Sequence, residues 1–201
     1  MPRLTPARAE ARRRQVLEAA VACFARDGFQ RATMQDVVRE AGLSPGAIYC
    51  HFRSKEEIAF AAVGMRRAEE LTLLKAVLAN PDPATAVEQL VAAFLARLKQ
   101  PDERTWRALA VQLWAESLRD ERMLAVVQDG VRQAQILLAA VLRDAFAKRA
   151  KPGRMDPDAL ARVLIAVFQG LALQHAWDET QDFDGCAAVL KAVLQPLVAD
   201  R

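Results

Sequence analysis

Residues 33 to 55 read TMQDVVREAGLSPGAIYCHFRSK, and this stretch decides the fold of the first quarter of the chain. Thr33-x-x-Asp36 is a variant capping box, in which the threonine satisfies an orphan backbone N–H and the acid reaches back. It opens a short helix carrying Val37, Val38 and Ala41, and Gly42 stops that helix. Ser44-Pro45 opens a second, very short helix running to about Phe52, because serine caps well and proline's fixed φ suits a first turn. Between them, Ala41-Gly42-Leu43-Ser44 is a four-residue turn containing glycine. Two short helices joined in this way form a helix-turn-helix.

On a wheel of about 100° per residue, Ile48 and Phe52 fall within about 40° of each other and face inward. Gly46, Ala47, Tyr49 and Cys50 point elsewhere, and His51 lies at the flank. The outward face is therefore small and uncharged apart from one tyrosine and one histidine. Small residues let a helix approach a groove floor, and alanine can touch a thymine methyl. Tyrosine and histidine at the rim can donate to phosphate oxygens. Lys55 stands in the first turn of the next helix, where the macrodipole disfavours a cation, so a structural account of it is weak. Beside free helix N–H groups it would instead complete a phosphate site, and Thr33 holds the equivalent place on the earlier helix. Taken singly, Tyr49 also reads as a half-buried core aromatic, and His51 as an ordinary surface residue.

Working outward, Thr5-Pro6 offers a cap and a first-turn proline to a helix whose Leu17, Ala20, Val21 and Phe24 repeat at helical spacing up to Gly28. Ser54-Lys55-Glu56-Glu57 is a full S-x-x-E box that starts a fourth helix running to about Ala79. Further helices are expected at about 84–99, 103–119, 121–150, 157–179 and 183–199, separated by Pro- and Asp-containing breaks. No stretch alternates with period two, and there is no internal repeat. The expected fold is all-α with about nine helices: a three-helix head (1–56) and a helical body (57–201).

Composition agrees. The 201 residues allow one ordinary domain or a small domain joined to a larger one. At 53% hydrophobic and 26% charged, the chain can bury a core and is not disordered. The net charge of +3 hides an asymmetry, since residues 1–55 hold ten Lys and Arg against five acids. A basic head on a near-neutral body points to a polyanion, although solvated arginines on helices give the same excess. Cys23, Cys50 and Cys186 form no CxxC pair, and only His51 and His175 accompany them, so neither a disulfide framework, a metal site nor a cofactor is expected. No signal-peptide pattern opens the chain, and the apolar runs fall short of the ~20 residues that span a bilayer. A cytoplasmic protein without a membrane partner is expected.

The run Thr33-x2-Asp36-Val37-Val38-x2-Ala41-Gly42-Leu43-Ser44-x-Gly46-x-Ile48-Tyr49-x-His51-Phe52-x-Ser54-Lys55-Glu56-Glu57 closely resembles the TetR family of bacterial transcriptional regulators. The likeness extends upstream through Val16-Leu17-x2-Ala20-x3-Phe24-x3-Gly28-Phe29 and covers about residues 12–60. More loosely, Leu113-Trp114-Ala115-Glu116 and Gly170-Leu171-Ala172-Leu173 are similar to the BetI-like branch. The resemblance implies a homodimer in which each DNA-binding head is joined to a ligand-binding body. By matched positions, Thr33, Ser44, Gly46, Ala47, Tyr49, His51 and Lys55 would contact a double-stranded operator, on a surface that also takes in Pro45 and Cys50. Tyr49, His51 and Lys55 would mostly anchor phosphates, and a basic arm at Arg3 and Arg8 would reach a neighbouring groove. Cys50 departs from the larger residue many relatives carry there, which narrows base readout.

A regulator needs a second state that a ligand can favour. Phe94, Trp106, Trp114, Met123 and Phe168, with Gln112, Glu116, Gln169 and His175, are candidate walls of a small-molecule effector pocket, though most apolar residues at helical spacing are simply core. Trp114 near Glu116 would suit a cationic aromatic ligand. Val189, Leu190, Val193, Leu194 and Leu197 stripe the last helix, and 159–177 is apolar around most of its circumference. These last two helices are the expected homodimer interface, giving a four-helix bundle with the partner. The competing classes are a small helical enzyme and a protein-binding adaptor. No nucleophile–base order, paired carboxylates or Gly-rich phosphate loop supports the enzyme.

Overall fold

A computed structural model describes residues 5–78, 83–147, 155–178 and 180–198 of the chain. These residues form nine helices and no strand: α1 (Pro6–Asp27), α2 (Met34–Ala41), α3 (Pro45–Tyr49), α4 (Lys55–Leu78), α5 (Pro83–Leu98), α6 (Glu103–Ser117), α7 (Glu121–Ala147), α8 (Pro157–Trp177) and α9 (Phe183–Val198). The all-α expectation therefore holds among the described residues. The local chemistry explains the boundaries. Gly28 (φ 89°) and Gly42 (φ 63°) end α1 and α2 in left-handed backbone that an L side chain adopts only with strain. The Thr33 capping box forms in both directions. At α4 the Ser54 hydroxyl caps Glu57 N–H, while the Glu57 carboxylate accepts from Arg53 N–H, one residue earlier than a standard box.

Packing divides the chain into two units. The first holds residues 1–67 and 105–126; the second holds 68–104 and 127–201. The first unit's core is built from Val16, Leu17, Ala20 and Phe24 of α1, Val37 of α2, Ile48 of α3, and Ile58, Ala59 and Ala62 of α4. Leu109 and Leu113 of α6 and Met123 of α7 complete it. The expected head at 1–56 is thus larger as a packing unit, because α4 and α6 bury apolar faces in it. The second unit's core gathers Leu90, Val91 and Leu95 of α5, Leu138 and Leu142 of α7, Leu160, Leu164 and Phe168 of α8, and Leu194 of α9.

Candidate nucleic-acid interface

A five-residue helix such as α3 cannot persist on its own, because helix nucleation is costly and only a few bonds follow. Two buried side chains and the Ser44 cap hold it. Ile48 is 0% exposed and Phe52 4%, both within the first unit's core, as the wheel predicts. Ser44 Oγ accepts from Ala47 N–H at 3.4 Å, and Arg13 of α1 lies 5.5 Å from the centre of the Phe52 ring. From α1, Gln15 Nε2 donates to the Ala41 carbonyl at 2.9 Å, closing the C-terminus of α2. Nothing in the sequence marks Gln15, since its partner lies 26 residues away.

The opposite side of α3 is open. Ser44, Pro45, Gly46, Tyr49 and Cys50 are exposed, and Ala47 and His51 are half-buried. Tyr49 at 49% exposure is not the core aromatic of the competing reading. The structure therefore brings Ser44, Pro45, Gly46, Ala47, Tyr49, Cys50 and His51 together on one short surface of α3 and its ends. Thr33 is exposed at the N-terminus of α2. Its hydroxyl and backbone N–H both donate to the Asp36 carboxylate, which holds that carboxyl below the usual carboxylate range.

Two expectations change. Lys55 does not reach outward: its ammonium donates to the carbonyl oxygens of Phe29 (2.9 Å), Gln30 (2.8 Å) and Ala32 (3.1 Å). An ammonium has three protons, and all three are engaged. The unfavourable dipole at the start of α4 is offset by turning the charge toward carbonyls of the turn that follows α1. Arg8 is likewise not in a loose arm. It is exposed in the first turn of α1, because Thr5-Pro6 starts the helix before it, while Arg3 lies outside the described residues.

The positive charge of the head is partly internal. Arg26 bridges Asp27 and Glu40 at 2.9 and 3.0 Å, Arg39 pairs with Asp36, and the Arg31 Nε donates to the Asp27 carbonyl. Arg26 holds the Asp27 carboxyl below its usual range. Arg8, Arg12 and Arg53 remain exposed.

The cysteines differ sharply. Burial first, and then the negative charge of Asp27, push the Cys23 thiol up to about 11, whereas Cys50 is exposed on the open side of α3. Iodoacetamide at pH 8 is therefore expected to modify Cys50 and spare Cys23 in the native protein, because the thiolate is the nucleophile. Bound duplex should protect Cys50. Peptide mass spectrometry checks both statements, and equal labelling of Cys23 and Cys50 would contradict them.

The effector candidates separate. Trp106, Gln112, Trp114, Glu116 and Met123 belong to the first unit, and Phe94, Phe168, Gln169 and His175 to the second. Met123 is buried in the head core, Gln112 Oε1 accepts from Phe29 N–H at 2.6 Å, and Glu116 accepts from Gln30 Nε2 at 2.6 Å. Trp106 packs on the same core, with the Arg66 guanidinium 5.6 Å from its ring centre. Trp114 and Glu116 stand two apart on α6, a spacing at which side chains do not face each other, and the Glu116 carboxylate accepts from Gln30. In the second unit, Phe94 and Phe168 stack with centroids 4.2 Å apart, and the His175 ring lies 4.7 Å from that of Phe183. Among the described residues, no group of three or more His, Cys, Asp or Glu could hold a metal ion.

Comparison with known proteins agrees with this geometry. Residues 16–62 match the family model for bacterial regulatory proteins of the tetR family, and residues 83–199 match that of the BetI-type transcriptional repressor C-terminal region. The HTH-type transcriptional repressor Rv1474c of Mycobacterium tuberculosis is 31% identical over 197 residues, covering 96% of both chains. The uncharacterized HTH-type transcriptional regulator YfiR of Bacillus subtilis is 44% identical over 57 residues, 28% of each chain. Among solved structures, Salmonella enterica GusR superposes with a TM-score of 0.78 at 26% identity, covering 98% of this chain and 99% of that one. The chain belongs to the TetR family of bacterial regulatory proteins, DNA-binding transcriptional regulators rather than enzymes, with a C-terminal region of the BetI repressor type.

Proposed function

We propose that this ligand-responsive regulator is a cytoplasmic repressor that binds a pseudo-palindromic operator as a homodimer and is released by a small-molecule effector. The observation that carries the reading is the exposed, small-residue face of α3 with Tyr49 and His51, set on a buried Ile48–Phe52 anchor. Gly46 and Ala47 admit a groove floor, Tyr49 and His51 donate to phosphates, and Thr33 and Ser44 add contacts at the helix N-termini. Pro45 and Cys50 border the same surface. The DNA-binding function is assigned to residues 1–56, braced by α6, and dimerisation and effector binding to residues 57–201. Phe94, Phe168, Gln169 and His175 are the remaining pocket candidates of the second unit.

Dimerisation is assigned to α8 and α9, where Val163 (57%), Trp177 (74%), Val189 (63%) and Val193 (59%) are exposed in the single chain. By length and composition alone, α8 could also cross a membrane. Its Leu160, Ala161, Leu164 and Phe168 are buried in the second unit's core, which favours a second copy over a bilayer as cover for the other face. In such a dimer, recognition helices about 34–36 Å apart, or somewhat more, would enter successive major grooves. A mobility-shift assay with duplex from the chain's own promoter region tests the reading. Binding is expected to fall steeply between 50 and 200 mM salt, on the order of 10³-fold for six phosphate contacts. No shift at any salt would refute it.

A further inference from the structure

The turn between α1 and α2, residues 28–32, is gripped from two sides by residues far away in sequence. Its backbone needs outside partners, because the carbonyls of a turn have no helical N–H donors of their own. Within the turn only the Ala32 N–H to Gly28 carbonyl bond (3.0 Å) forms. From α4, the Lys55 ammonium takes the carbonyls of Phe29, Gln30 and Ala32 and sits 5.0 Å from the centre of the Phe29 ring. From α6, Gln112 Oε1 takes the Phe29 N–H, and Glu116 takes the Gln30 side chain. Phe29 itself is 5% exposed and meets Phe24 edge-on at 5.3 Å. Ring, N–H and carbonyl of one residue are thus all fixed. The next residue but two, Ala32, is fixed through its carbonyl, and the following peptide belongs to Thr33, the N-cap of α2.

We propose that Lys55 and Gln112 are positioning residues of the DNA interface, a two-sided brace on the 28–32 turn that sets the place of Thr33 and the N-terminus of α2. Lys55 then acts on DNA through the turn and its ammonium is not a phosphate anchor. The two roles differ in what salt does. A lost phosphate contact lowers the salt slope by about 0.9. A misplaced α2 weakens binding at every salt concentration and leaves the slope nearly unchanged.

This inference rests on the DNA-binding reading, so the test uses a duplex that the wild-type protein selects from a random 30-bp library. Lys55→Met keeps the side-chain stem over Phe29 and removes the charge. It is expected to weaken binding by up to about 100-fold, the scale of several hydrogen bonds from a charged group, with the slope kept. Gln112→Leu should weaken it up to about tenfold, the scale of one backbone hydrogen bond. Gln112→Glu, which still offers an acceptor to Phe29 N–H, should stay within about twofold. In parallel, the Phe29 amide should exchange slowly with solvent in the wild type and in Gln112→Glu, and rapidly in Gln112→Leu. A slope reduced by about one unit in Lys55→Met would overturn the proposal, as would equal binding by Gln112→Leu and wild type. If the wild type selects no duplex, the DNA-binding reading fails, and the Phe29 amide alone decides whether the brace exists.

Discussion

Ile48→Ala is expected to destabilise the head by about 2–5 kcal/mol, the cost of truncating a fully buried aliphatic side chain and leaving a cavity. Operator binding should be lost with it. The size of the effect follows from how little else holds α3. The helix has five residues, its Ser44 cap bond is long at 3.4 Å, and the side away from Ile48 is exposed. Ile48 and Phe52 are its two buried anchors, so removing one detaches the recognition surface from α1 and α4. Tyr49→Ala provides the contrast. The tyrosine is half exposed, so its loss should change stability by less than about 1 kcal/mol. Operator affinity should nevertheless fall strongly if the proposed phosphate contact of Tyr49 is lost with its ring. Urea unfolding and duplex binding on the two variants decide the matter. Comparable stability loss in both would mean that Tyr49 is a core residue after all, and an intact Ile48→Ala would mean that α3 is held by something else.

How much of this was readable in advance depends on the distance over which each feature is determined. Capping boxes, left-handed glycines and the Ile48–Phe52 face are local chemistry, and they place the first helices and the open side of α3 correctly. Periodicity tells that a helix face is buried but not what buries it. The helix expected at 103–119 therefore falls to the body, whereas its Leu109 and Leu113 share one core with Val16, Phe24 and Ile58. The partner of Gln112 is 83 residues away, and the partners of Lys55 are 23 to 26 residues away. No spacing rule reports such pairs. Lys55 shows the consequence most clearly: the dipole argument correctly marks its position as awkward, and only the tertiary fold shows that the charge is turned onto an adjoining turn. For Trp114 and Glu116, closeness in sequence is not closeness in space, since residues two apart on a helix point to different sides.

Val163→Glu combined with Val193→Glu is expected to convert the protein to a monomer at micromolar concentration and to lower operator affinity by about 10²–10⁴-fold. The reasoning starts from α8, where Val163, Ala166, Gly170, Leu173 and Trp177 recur at spacings of three and four and so form one stripe. Leu160, Ala161, Leu164 and Phe168 take the other side into the core. On α9, Val189 and Val193 are exposed one turn apart, while Leu194 is buried. Two such stripes are more apolar surface than a free helix pair usually leaves in water. In a two-fold dimer each substitution occurs twice, so four carboxylates would lose water without partners. A buried unpaired charge costs several kcal/mol, enough to split a dimer of ordinary affinity. Affinity for DNA then falls because the second head no longer benefits from the effective concentration that its linkage to the first supplies. The salt slope should drop by about half, since one head neutralises half the phosphates. Helix content and the unfolding of the first unit should be unchanged, because both valines are exposed in the isolated chain. Sedimentation velocity and salt-dependent duplex binding read these outcomes together. A dimer that survives both glutamates would move the interface off α8 and α9, and a monomer that binds DNA with undiminished affinity and slope would refute the two-headed reading of the operator complex.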